Sequence, residues 1–256
     1  MSNLNLFYFI LIMLSLIACK SDPSSVSSHE VNPAVEGFNL VDSDERAIAI
    51  ADEVMEAMGG RAAWDASRYI GWTFFGRRSH LWDKEGKMNR LEIPSDSLTM
   101  IINLEDKTGQ VSKNGIKLTD TDSIAKYIGQ GYNMWINDSY WLVMPFKLKD
   151  AGVTLKSMGQ DTTTLGAKAD VLELTFAGVG KTPDNKYEVY VDKTSRLVTQ
   201  WDFYTKYSDT ISRFQSPWPN YKRYGDLLLS GGQIAGNQLT DISVSQTVEA
   251  GLFSAL

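Results

Sequence analysis

Arg68-Tyr-Ile-Gly-Trp-Thr-Phe-Phe-Gly-Arg-Arg-Ser-His-Leu-Trp82 is the stretch whose reading decides the fold. Ile70, Trp72, Phe74, Arg78, His80 and Trp82 fall on one alternating set, and Tyr69, Thr73, Phe75, Arg77, Ser79 and Leu81 on the other. Side chains of these types fit a pleated surface and crowd a helix. The pattern predicts one strand of fifteen residues, long against a usual length of about 5–6. Gly71 and Gly76 would let it bend, since a residue without Cβ tolerates a sharp curve. Residues 70–74 then read as the wall of a container and residues 77–82 as its rim.

Upstream, Ser43 offers a helix N-cap, with Asp44 and Glu45 in the first turn where the helix dipole favours negative charge. Ala47, Ile50, Ala51, Val54, Met55 and Met58 recur at helical spacing before Gly59-Gly60 ends the run. Downstream, residues 87–93 and 98–104 alternate as strands, and Asn114-Gly115 marks a tight hairpin. From 121 to 142 the period becomes helical through Ile124, Tyr127, Ile128, Met134, Trp135 and Trp141, with breaks expected near Gly129 and Gly131. Strand patterns return over 153–158, 169–176, 187–192 and 197–207, and a last pair lies near 220–230 and 238–249. The fold predicted is α+β: a strongly curved antiparallel sheet of about ten strands, an N-terminal helix and a mid-chain helical lid.

The beginning of the chain gives an address. Residues 6–18 are uncharged and mostly apolar, too short for a membrane span of about 20. They end in Leu16-Ile17-Ala18-Cys19, which resembles the lipobox of bacterial lipoproteins. That resemblance implies a cleaved signal peptide over 1–18, a covalent lipid on Cys19, a flexible tether over 19–42 rich in Ser, Pro and acidic residues, and a folded domain over 43–256. Cys19 is the only cysteine, so no intramolecular disulfide can form. The expected location is the cell envelope, anchored by lipid at the outer membrane and facing the periplasm, with surface export through Lys20-Ser21-Asp22 as the alternative. A net charge of −6 without a Lys/Arg cluster argues against nucleic acid as a partner.

Catalytic templates are missing: there is no G-x-S-x-G, P-loop, H-E-x-x-H or dinucleotide glycine pattern. Of two histidines, His29 lies in the tether, leaving His80 alone in the domain. The expectation is a non-enzyme without cofactor or metal. Seven Trp, eleven Tyr and ten Phe are more than one core easily buries with every polar ring atom satisfied. Trp72, Phe74, Trp82, Met100, Ile102, Trp135, Trp141, Met144, Phe146 and Trp201 are candidates to line a hydrophobic cavity. Arg77, Arg78 and His80 are candidates for a polar rim that meets an anionic head group. The plainer reading of that trio is a solvated strand end with a partner-satisfied histidine. An occupied sheet and a self-filled one share the same alternation. Two functions therefore stand: a binder or carrier of a hydrophobic small molecule or lipid, and a non-enzymatic interaction or sensor module plugged by its own side chains.

Ala57-Met-Gly-Gly60, Trp72-Thr-Phe-Phe-Gly76, His80-Leu-Trp-Asp83, Tyr140-Trp-Leu-Val-Met-Pro-Phe-Lys-Leu-Lys149 and Tyr224-Gly225 are similar to strings in Bacteroidota lipoproteins of unknown function. The order of elements over about 44–250 resembles the LolA/LolB superfamily of lipoprotein-localisation factors. The resemblance implies an unclosed β-barrel whose concave face is covered by helices and binds acyl chains or another hydrophobic guest. Cys19 departs from LolA itself, which is unlipidated.

Overall fold

The computed structural model describes residues 31–178, 183–232 and 237–256; Cys19 and the apolar run before it lie outside the described residues. The stretch 68–82 is not one strand but a hairpin, β1 (Tyr69–Phe74) and β2 (Arg78–Asp83). Phe75 and Gly76 sit at φ 51° and 65°, the left-handed region of a tight turn, and Phe74 pairs with Arg78 across the residues between them. The Arg77 N–H closes the turn on the Phe74 carbonyl at 3.0 Å. Gly76 thus reverses the chain instead of bending it, and because the paired positions 74 and 78 have the same parity, period-two alternation continues through the turn.

The remaining strands are β3 (Met88–Ile93), β4 (Leu98–Asn103), β5 (Gly109–Lys113), β6 (Ile116–Lys117), β7 (Val153–Thr162), β8 (Lys168–Phe176), β9 (Lys186–Asp192), β10 (Val198–Tyr204), β11 (Phe214–Pro217), β12 (Tyr221–Tyr224), β13 (Leu227–Ser230) and β14 (Leu239–Ser245). They form a seven-stranded sheet ordered β14-β1-β2-β3-β4-β5-β6, a five-stranded sheet ordered β11-β10-β9-β8-β7, and the β12-β13 ribbon. Among the described residues, all the pairings are antiparallel and none of the sheets closes on itself. The fold is α+β, with more and shorter strands than the alternation alone suggests.

Among the described residues, the α-helices beside the sheets are α1 (Glu45–Ala57), α2 (Gly60–Ala66) and α3 (Thr121–Val143). The N-cap of α1 is Asp44, not Ser43. Ser43 is spent elsewhere: its hydroxyl donates to the Asn39 carbonyl at 2.6 Å and accepts the Leu155 N–H at 3.0 Å. The Asp44 carboxylate accepts the Ser157 N–H at 2.9 Å. Both side chains tie the chain before α1 to the edge of β7, covering backbone groups that would otherwise template pairing with another chain.

α3 runs unbroken for 23 residues, through both glycines. Its start is capped by Asp120, which accepts the Ser123 N–H at 2.8 Å. Gly131 is there for close approach: a Cβ would stand 2.7 Å from Ile102 Cδ1 and 3.0 Å from Met100 Sδ. The N-terminal half of α3 covers Leu91, Met100, Ile102 and Val111 through Ile128. Its C-terminal end joins a larger core made by α1 (Val54, Met58), β1 (Ile70, Trp72, Phe74) and the second sheet (Leu172, Val189, Trp201). Each such buried aliphatic or aromatic side chain contributes roughly 1.5–3 kcal/mol.

Candidate functional site

α3 brings one charged side chain to the inner face of the first sheet. Asp138 has no solvent exposure and meets Arg78 and His80, neighbours two apart on β2 that point to the same face. Arg78 forks onto it, Nε to Oδ2 at 2.5 Å and Nη2 to Oδ1 at 2.7 Å. His80 Nε2 lies 2.8 Å from Oδ2, and the Asn137 amide donates to Oδ1 at 2.9 Å. The Asn89 amide donates to His80 Nδ1 at 3.3 Å. The imidazole also stacks on Trp72, with ring centres 4.6 Å apart and planes 9° apart. Burial works to raise the Asp138 carboxyl, but the bonds from Arg78 and His80 outweigh it and hold the group below its ordinary range. The result is a buried ionic clasp between lid helix and sheet.

The apolar opening lies along the same helix. A cleft of about 420 Å³ is bounded by Tyr132, Trp135, Ile136 and Tyr140 of α3, by Lys107 in the β4–β5 turn, and by Ala151, Val153 and Phe176 at the β7–β8 end of the second sheet. Such a volume falls within the roughly 300–1,000 Å³ of small-molecule sites. Lys147 and Asp150 stand at its edge, paired with each other. The Lys107 ammonium sits 5.0 Å from the centre of the Tyr132 ring. Burial, aided by Tyr187 and by the charge of Asp150, keeps the Tyr140 phenol well above its usual pKa.

Of the residues expected to line a cavity, Trp135 borders this cleft. Trp72, Phe74, Met100, Ile102, Met144, Phe146 and Trp201 are buried as core beneath the helices. Trp82 and Trp141 are partly buried and pack against that core; Trp82 meets Trp135 edge-on at 5.4 Å, and Trp141 meets Trp201 edge-on at 4.8 Å. The indole N–H groups of Trp72, Trp135, Trp201 and Trp218 have no hydrogen-bond acceptor among the described residues. Arg77 is exposed at the hairpin tip and takes no part in the clasp. Arg78 and His80 come together, though not at a solvated strand end: His80 is only 3% exposed. Asp138, Phe176 and Lys107 went unforeseen. Asp138 had a signal, because it is the only charged residue between Lys126 and Lys147.

Among the described residues no group of His, Cys, Asp or Glu is placed to hold a metal ion, and no helix is long and apolar enough to cross a membrane.

No family model and no curated protein matches the chain. Solved structures do. A DUF1329 family protein from Desulfovibrio piger is 13% identical, with 81% of this chain and 96% of that one covered at a TM-score of 0.43. A LolA superfamily protein from Nitrosomonas europaea is 10% identical over 81% of this chain and 97% of that one, at a TM-score of 0.41. A domain named for outer membrane lipoprotein sorting, from Vibrio parahaemolyticus, is 12% identical over 82% and 97% at 0.37. What this chain shares with them is a general fold likeness to LolA-superfamily and DUF1329 proteins.

Proposed function

We propose that this protein is a lipid-anchored envelope protein that binds one apolar chain, an acyl group or a similar lipid tail, in the cleft under α3. The observation that carries the reading is the cleft itself: aromatic and aliphatic side chains from α3 and the second sheet face each other across about 420 Å³. Lys107 at its border suits an anionic head group, and α3, held at Asp138, forms the lid. The anchor is the lipid on Cys19, and the expected location is the periplasmic face of the outer membrane.

The test uses protein lacking residues 1–19. Native mass spectrometry and uptake of a fluorescent fatty acid should both report one bound chain, and Trp135→Ala should weaken uptake by about tenfold. Recovery without lipid and without uptake would sink the reading. The complete burial of Trp72, Met100, Ile102 and Trp201 favours a second one, an interaction module whose interior is its own core. That alternative predicts no lipid and a specific protein captured from membranes.

A further inference from the structure

We propose that the protein carries a second binding site, for a short neutral oligosaccharide, in the cleft between the β12–β13 ribbon and β14. This cleft encloses about 630 Å³ and shares no lining residue with the one under α3. The volume lies within the roughly 300–1,000 Å³ of small-molecule sites. Long-range bonds hold its walls in place. The Tyr221 hydroxyl donates to the Val198 carbonyl at 2.9 Å, tying the ribbon to the second sheet. The Leu228 N–H donates to the Met58 carbonyl at 2.9 Å, tying it to the end of α1. β14 belongs to the first sheet through its pairing with β1. Where ribbon and strand meet, their backbones touch: the Leu239 N–H donates to the Gly231 carbonyl at 3.0 Å, and a Cβ on Gly231 would stand 2.3 Å from the Leu239 carbonyl oxygen. The cleft is thus built from fixed elements, as a preorganised site requires.

The lining chemistry selects the ligand. Tyr221, Tyr224 and Ile242 supply rings and aliphatic carbon, and all three pack against the main core. Asn220, Lys222, Gln238 and Asp241 supply polar groups around them. The side chains of Asn220, Lys222, Tyr224 and Gln238 have no hydrogen-bond partner among the described residues. An amide offers two donors and an acceptor together, which matches neighbouring hydroxyls on a sugar. A tyrosine offers an apolar ring with a polar tip, which matches the C–H face of a pyranose and the hydroxyls at its edge. A fatty acid would have to desolvate the polar groups and give them nothing in return. A phosphate or carboxylate calls for an Arg fork or paired cations, whereas the cleft has the single cation Lys222 and the opposing charge of Asp241. A peptide strand needs a free sheet edge, and at the start of β14 the Leu239 N–H is already spent on Gly231. An uncharged polyol fits each of these groups.

The test is saturation-transfer NMR on the full chain, with maltotriose, cellotriose and triacetylchitotriose as probes. At least one of them should receive saturation on its ring C–H protons, with a Kd on the order of 1 mM. Tyr224→Ala and, in a second protein, Gln238→Ala should each weaken that binding by about tenfold. Tyr224→Phe keeps the ring and should recover most of the loss. Gln238 is exposed, so its variant reads the site even if loss of the Tyr224 ring disturbs the ribbon. Leu165→Ala, at an exposed position outside the cleft, should change nothing. Saturation on none of the three sugars would overturn the proposal, and so would binding that neither Tyr224→Ala nor Gln238→Ala weakens. Fatty-acid uptake should be the same in Gln238→Ala as in the parent, which separates this site from the cleft under α3.

Discussion

Asp138 is a carboxylate enclosed on the inner side of a helix, where ionisation is tolerable only because Arg78, His80 and Asn137 all bond to it. Removing one partner of such a group leaves the other charge buried, typically at about 3–5 kcal/mol. Asp138→Ala should cost that much in urea unfolding, and amide exchange should show α3 released ahead of the sheet. Since the carboxyl is held below its ordinary value of 3.8, the folded chain stays ionised to lower pH than the unfolded one. The clasp's contribution is complete above about pH 4 and is lost as pH falls through the lower folded value. Asp138→Asn should flatten that acid limb. Lys84 titrates the opposite way. Its ammonium sits 3.7 Å above the Trp64 ring and donates to Ser67 Oγ at 2.9 Å, and burial pushes it down to about 8 from 10.5. Between those values the unfolded chain holds the extra proton, so stability should rise from pH 8 towards pH 10. Above that, tyrosines such as Tyr187, raised to about 12 by burial, reverse the slope. Lys84→Met should remove the rise and keep the reversal.

α3 shows what periodicity can and cannot say about an element. Its apolar spacing was legible, but the two glycines read as breaks, because a glycine held by packing looks like one that ends a helix. The two positions separate cleanly by experiment. Gly129 has nothing within 4 Å of where a Cβ would be, so Gly129→Ala should gain about 0.5–1 kcal/mol from helix propensity. Gly131 lies against Met100 and Ile102, so Gly131→Val should cost about 1–3 kcal/mol by overpacking. Urea midpoints moving in the same direction would refute the assignment. The hairpin at 75–76 failed for the mirror reason. Phe75 is bulky and aromatic, a poor candidate for the left-handed region it occupies, so alternation alone carried the strand across the turn. The long-range pairing of β1 with β14 has no local signature at all.

At the scale of the whole molecule, a covering mid-chain helix was readable from the change of period at residue 121, whereas filling was not. Alternation says which side chains face inward, and a guest or another side chain satisfies it equally. Trp72 and Trp201 face inward and meet the protein itself, while the opening has moved outward to Trp135, Tyr140 and Phe176, where α3 faces the second sheet. The three rings come from two segments, 121–142 and 169–176, each legible in isolation, and only the tertiary arrangement sets them opposite each other. A ligand there binds the folded chain alone, so occupancy must appear as stability. At a free fatty-acid concentration one hundred times its Kd, mass action adds about 2.7 kcal/mol. For a domain of this size, that corresponds to about 5–10 °C in Tm. Protein lacking residues 1–19 should show this shift in a thermal melt with a long-chain fatty acid. Trp135→Ala, read at the same concentration, should lose about half of it, since a tenfold weaker site gives about 1.4 kcal/mol by the same relation. An unmoved Tm across the whole concentration range would mean that α3 covers nothing but the protein's own core.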